Sequence, residues 1–231
     1  MIKVMNKINI EQGKIFLDNG IYFLEVSNDL KLDIETKENA KSKLIIVGNS
    51  SYKINYLIKD NSELIVHSLN KDNSVNVSIT LLEKSKLTYH HSVINNLVSD
   101  NIFKIIHQEN DSISNIYNNG INQSKDKLFF QIDGIIPKGL TNIICSQSSK
   151  IINFNNGNSK IIPNLVIDSN DIVASHAAYI GNIDNDTIFY LESRGIKEEN
   201  IKKLIYQSIM LGKMELDEEK DLFDKIINEW W

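Results

Sequence analysis

Ser62-Glu63-Leu64-Ile65-Val66-His67 decides the reading of this chain. It is a short run of alternating, β-favouring residues bounded by turn formers, which predicts a strand. Its opening triplet recurs. Ser42-Lys43-Leu44 precedes it by 20 residues, Ser85-Lys86-Leu87 follows after 23, and Ser112-Ile113-Ser114 reads as a degenerate copy 27 further on. A period of this size suits one coil of a β-solenoid, in which each coil buries its apolar face by stacking on its neighbours. On this reading the lengthening interval places insertions at the turns. A β-sandwich of hairpins with chance Ser-x-Leu echoes fits the same spacing, and the repeat alone does not separate the two. Pro137 and Pro163 fall at the edges of apolar runs, where a missing N–H is tolerated.

The strand pattern holds over residues 1–183; from 184 to 231 the spacing becomes helical and richer in Glu and Lys. Three helices are expected there. The first starts near Asp184 as N-cap, carries Ile188, Phe189 and Leu191, and stops at Gly195. The second carries Ile201, Leu204, Ile205, Ser208 and Ile209 on one stripe and ends at Gly212. The third opens near Asp217 and carries Leu222, Phe223, Ile226, Ile227 and Trp230. Its acidic first turn complements the helix dipole. The terminal Trp230-Trp231 pair is expected to fold back on the protein or to meet a partner.

Composition narrows the classes of function. Of 231 residues 42% are hydrophobic and 24% charged, which is globular composition, and the net charge of −5 argues against a phosphate backbone as partner. The first residues do not read as a secretory leader, and no stretch approaches the ~18 apolar residues of a membrane span. Cys145 is the only cysteine, so an internal disulfide and a cysteine-rich metal site are both excluded. A reducing cytoplasm is expected. Phosphate-loop, dinucleotide, zinc-protease and serine-hydrolase motifs are missing, and an enzyme is not expected.

Among residues that could carry chemistry, His67, His90, His91 and His107 read as surface or turn histidines. His90 and His91 are adjacent and would face opposite sides of a strand. Cys145, amid apolar strand residues, reads as a small buried hydrophobe. His176 stands among small neighbours in Ala174-Ser175-His176-Ala177-Ala178, which leaves its imidazole accessible; a turn histidine is the plainer reading. Arg194 is the only arginine beside 24 lysines, and its place next to Gly195 suggests that a guanidinium fork locks the helix end onto the β body.

From about residue 128 to 206 the chain resembles the SufB/SufD family of iron–sulfur cluster assembly scaffolds. The matching stretches are Pro163-Asn164-Leu165-Val166-Ile167, Asp171-Ile172-Val173-Ala174-Ser175-His176, Ile180-Gly181-Asn182-Ile183-Asp184 and Phe189-Tyr190-Leu191-Glu192-Ser193-Arg194-Gly195-Ile196. The resemblance implies a right-handed parallel β-helix over 1–183 and a C-terminal α-helical domain over 184–231. It implies docking of a SufC-like ATP-binding-cassette ATPase on that domain, through Phe189, Tyr190, Arg194, Ile201, Leu204, Ile205 and Ile209. It also implies pairing through the β-helix with a SufB-like subunit or a second copy, and a transient Fe–S cluster at that interface. No tightly bound cofactor, membrane or nucleic acid is expected. His176 matches the family histidine that is a candidate iron or cluster ligand. The glycine that follows it in the family is Ala177 here, the cysteine often found two residues before it in SufD-like members is Ala174, and Gly157 to Ile162 lacks the cysteine that SufB-type members place before the proline strand, so the chain resembles SufD more than SufB. Two readings of other kinds stay open: a β-helix enzyme acting on polysaccharide, and a structural paralogue that binds the ATPase but no metal.

Overall fold

A computed structural model describes residues 5–8, 13–154, 157–183, 185–212 and 220–230. Strands β1 (Met5–Lys7), β3 (Gly20–Val26), β5 (Lys41–Gly48), β7 (Glu63–Lys71), β9 (Lys86–Asn95), β11 (Ile113–Asn122), β13 (Thr141–Asn153) and β15 (Asp171–Asn182) form one parallel sheet in that order. Strands β2 (Lys14–Leu17), β4 (Leu30–Thr36), β6 (Tyr52–Ile58), β8 (Val75–Leu81), β10 (Ser99–His107), β12 (Lys127–Ile136) and β14 (Asn158–Ile167) form the other. Odd and even strands alternate along the chain, so each coil lays one strand in each sheet: a parallel β-solenoid.

The corner entering the first sheet explains the serine repeat. Ala40, Ser62, Ser85 and Ser112 stack there, each carbonyl accepting from the strand of the next coil: Glu63 N to Ala40 O is 2.8 Å and Lys86 N to Ser62 O is 2.8 Å. Ser85 Oγ and Ser112 Oγ donate to Leu82 O and Glu109 O at 2.7 and 3.0 Å, which satisfies both groups at the bend. The first copy of the repeat is therefore Ala40, not Ser42, which pairs with Leu64. One residue earlier, Asn39, Asn61, Lys84, Asp111 and Asn142 all adopt positive φ between 55 and 59°. Asn and Asp tolerate this conformation best, and Lys84 is the exception.

The interval between coils grows, as the partners Lys41–Glu63, Glu63–Lys86, Lys86–Ile113 and Ile113–Ile144 show. Insertion at the turns accounts for the smaller part of the growth: turns 59–62, 82–85 and 137–140 have four residues and 108–112 has five, and at the other corner 96–98 has three residues and 123–126 four, while β5 has 8 residues, β9 has 10 and β13 has 13. The coils widen chiefly because their strands lengthen.

Inside, alternate side chains pack into one cluster that includes Leu44, Val66, Tyr89, Phe103 and Phe130. Where strands of the first sheet end, Asn95, Asn122 and Asn153 stack in register, and Asn95 Nδ2 donates to Asn122 Oδ1 at 3.2 Å. Helices α1 (Asn185–Ser193), α2 (Glu198–Leu211) and α3 (Lys220–Trp230) follow. A second cluster joins Tyr206, Met210, Phe223 and Ile227 of α2 and α3 to Ile45, Leu69, Ile94 and Ile121 on the outer face of the first sheet. Ser92 Oγ donates to Met210 O at 2.8 Å, and Lys71 Nζ to Trp230 O at 2.9 Å. Trp230 thus folds back on the body. Asp184, Asp217 and Trp231 lie outside the described residues.

Gly195 ends α1 at φ +81°, with Gly195 N to Glu192 O at 2.8 Å and Ile196 N to Leu191 O at 3.2 Å. That is the Schellman pattern, and it explains the glycine. Pro163 sits inside β14, an edge strand, where its lacking N–H removes no ladder bond.

Candidate functional site

Four histidines read from sequence as surface or turn residues are buried in strands instead: His67 is 1% exposed, His90 6%, His91 0% and His107 0%. His90 and His91 do face opposite sides. His90 stacks on Tyr117 at 4.8 Å under the helices, and its ring meets His67 edge-on at 5.2 Å. His67 in turn touches Phe223 of α3, 6.1 Å between ring centres. His91 points inward, its Nδ1 3.2 Å from Asn70 Nδ2 and its Nε2 3.1 Å from Asn101 Oδ1. His107 lies between Ser112 Oγ and Ser114 Oγ at 2.8 and 2.9 Å. Burial disfavours the charged rings. His67 and His91 are pushed down to about 3 and His107 to about 4.

His176 is on a strand, not in a turn, and its position follows from register. Leu44, Val66, Tyr89, Ile116, Gln147 and His176 are successive partners across β5, β7, β9, β11, β13 and β15. In-register neighbours in a parallel sheet share a face. This is the inner column, so His176 occupies an inward position of the last coil. Nothing among the described residues stacks on that coil, and residues 175–180 are exposed. The same open end presents Val166, Ile167, Val173, Tyr179 and Ile180, between 39 and 64% exposed. Strands β14 and β15 are each last in their sheet, so their outer backbone edges have no strand partner among the described residues.

One level below lie Cys145 and Gln147, 0% and 3% exposed. Cys145 is buried as its apolar setting indicated, and burial pushes its thiol up despite a hydrogen bond with Ser114. Gln147 Nε2 donates to Asn164 O at 3.2 Å, while its Oε1 has no hydrogen-bond partner among the described residues. Among the described residues, no three or more His, Cys, Asp or Glu side chains converge as a metal cluster.

The residues expected to meet a partner divide. Phe189, Tyr190 and Leu204 stand out at 72, 55 and 50% exposed. Ile201 is fully buried, and Ile205 and Ile209 pack against the second cluster. The inward face of α2 is therefore rotated from the expected stripe. It runs through Ile201, Tyr206 and Met210, and Leu204 and Ser208 lie off it. Tyr206, between Ile205 and Gln207, is not part of the expected stripe. Its ring meets Phe154 edge-on at 5.3 Å, and its hydroxyl accepts from Gln123 Nε2 at 2.5 Å. Arg194 does not lock the helix to the β body. It is exposed, and its guanidinium lies 5.0 Å over the ring of Tyr190 on its own helix.

The fold thus defines a parallel β-solenoid with a helical appendage seated on one sheet and one open end. Residues 32–209, well over half of the chain, match the model of the SUF system FeS cluster assembly SufBD core domain. The chain belongs to the SufB/SufD family. It is 30% identical over 103 residues to the iron–sulfur cluster assembly protein SufD of Bacillus subtilis, a stretch covering 44% of this chain and 24% of that one. It is 44% identical over 43 residues to SufD of Escherichia coli, or 19% of this chain and 10% of the relative. A SufBD family protein of Mycobacterium leprae is 47% identical over 45 residues, 19% of this chain and 12% of that one. The matched stretch spans a quarter or less of each of these relatives. No helix among the described residues is long and apolar enough to cross a membrane.

Proposed function

We propose that this chain is a non-catalytic scaffold subunit of SUF-type iron–sulfur cluster assembly, working in the cytoplasm without nucleic acid or membrane partners. Its open solenoid end pairs with a SufB-like subunit or a second copy, and its helices receive a SufC-like ATPase. The observation that carries the reading is the unfinished last coil. Two edge strands and the exposed Val166, Val173, Tyr179 and Ile180 are a surface that isolated proteins normally cover, because open edges recruit other chains. His176, at an inward position of that end, offers an imidazole nitrogen suited to iron carried as cargo between the paired subunits. On α1 and α2, Phe189, Tyr190 and Leu204 provide apolar contacts to the ATPase, with Arg194 at their edge as a fixed cation.

Light scattering of the chain mixed with a SufC-like ATPase, with and without nucleotide, tests the reading. A complex of defined mass is expected. Two folded proteins that stay apart in both conditions would overturn it.

A further inference from the structure

The helices rest on the first sheet over two histidines that the proposed function does not use. His67 and His90 are partners across β7 and β9, 1% and 6% exposed, with ring centres 5.2 Å apart. Phe223 of α3 lies against His67, and His90 stacks on Tyr117 of β11, the titratable group beside it. His67 Nδ1 is buried with no hydrogen-bond partner among the described residues. The charges that act on His67 are those of His90 and of Lys43 on β5, and both oppose its protonation. Its other same-face neighbours on the sheet, Ile45, Val47, Ile65, Leu69, Thr88 and Ser92, carry no charge. On α3, Asp221 is exposed, Asp224 accepts from Gln207 Nε2 at 3.1 Å, and Lys225 and Glu229 line a cleft with Glu25 beside Phe23. α2 meets the sheet through Tyr206 and Met210, with its Glu198, Glu199, Lys202 and Lys203 near its start. A cation formed on His67 in the closed seam thus meets neither water nor a counter-charge among the described residues, and such burial is costly.

We propose that His67 and His90 form an acid-sensitive latch on the helical appendage, whose protonation releases α2 and α3 from the sheet while the solenoid beneath stays folded. The inference rests on the geometry of this seam and not on the identity of any partner. Opening the seam hydrates both rings at once, because the helices cover them from outside. His91 and His107 face the interior and meet water only when a coil separates. Each coil is held by the ladders of both sheets, whereas the helices are held by one apolar cluster and by contacts such as Ser92 Oγ to Met210 O and Lys71 Nζ to Trp230 O. Local opening starts at the segment held least. The closed seam pushes His67 down to about 3 from the ordinary 6.5, chiefly by burial. The released state therefore takes up the proton first as pH falls, so docking is fully favoured above 6.5 and weakens below it. Through His67 alone, each pH unit below 6.5 raises the released fraction about tenfold. A second charge on His90, at the 5.2 Å separation of the rings, adds repulsion in the same direction.

Amide hydrogen exchange of the full chain from pH 7.5 to 5, corrected at each pH for the intrinsic rate, reads the seam directly. Protection of α2 and α3 is expected to lie below that of β9 and β11 at every pH, and to fall about tenfold or more per unit below 6.5. The double variant His67→Phe with His90→Phe keeps two rings under the helices and removes both protons. It should make helix protection independent of pH over this range, while the strands keep the dependence that His91 and His107 give them. Helix and strand amides that share one protection value at every pH would show a single cooperative unit and overturn the proposal. So would helix protection that does not change with pH in the parent, or a folded double variant that keeps the parent's helix slope. Should the double variant not fold, the comparison of helix with strand amides in the parent decides alone.

Discussion

At the scale of single residues, the buried histidines set a limit on acid stability. His67, His91 and His107 are neutral in the fold, with pKa values depressed to about 3, 3 and 4 from the ordinary 6.5. The unfolded chain therefore takes up protons first as pH falls below 6.5, and the stability present at neutral pH is lost from there down to the folded values. By pH 4 the loss is on the order of 3 kcal/mol for each ring. The urea midpoint should fall steadily between pH 6.5 and 5, before carboxylates such as Asp18 and Glu35 begin to protonate. A midpoint flat across that window would show that the rings charge freely. Sequence could not reveal this burial. His67 lies between Val66 and Ser68 and His91 between His90 and Ser92, and only the stacking of coils shows that these rings lie under Phe223 or against Asn101.

Elements show a second division, within α2. Ile201 faces the body and Leu204 faces away, although both belong to one apolar stripe in the sequence. Ile201→Asp buries an unpaired carboxylate and should cost roughly 3–5 kcal/mol, seen as a large drop in melting temperature. Leu204→Asp should change stability by about 0.5 kcal/mol or less and still abolish the ATPase complex. A Leu204→Asp chain that binds the ATPase as the parent does would remove that helix face from the dock. The type and order of elements, strands first and then three helices, were legible because β-alternation gives way to helical spacing near residue 184. The phase of α2 was not, because Tyr206 and Met210 anchor it through Phe154, Gln123 and Ser92, which are remote in sequence. The corner was half legible. Three serines marked it, but the first coil uses Ala40 there, and Ser42 offered a false start.

For the whole molecule, one closed flank and one open end decide what it can meet. Helices cover the first sheet from Ile45 to Ile121, whereas the last coil exposes its edges and apolar side chains. A lysine at Val173, outward on β15 and 64% exposed, should leave the melting temperature within about 2 °C and prevent pairing. Sedimentation of the chain, alone and with a SufB-like partner, measures this; a Val173→Lys chain that still pairs would place the interface elsewhere. The candidate site was legible only in part. His176 was found through the motif around it. The burial of Cys145 and Gln147 against Gly134 depends on which residues face each other across the interior, which local sequence does not encode.

The widening of successive coils has a consequence for how the chain finds its fold. In a stack of identical turns, a strand that docks one level too high or too low makes nearly the same contacts, and the error persists. Here adjacent levels differ. A segment cut to pair with the 8 residues of β5 cannot satisfy the 13 of β13. Each level therefore carries its own address along the axis, and a misplaced coil leaves bare backbone that favours its release.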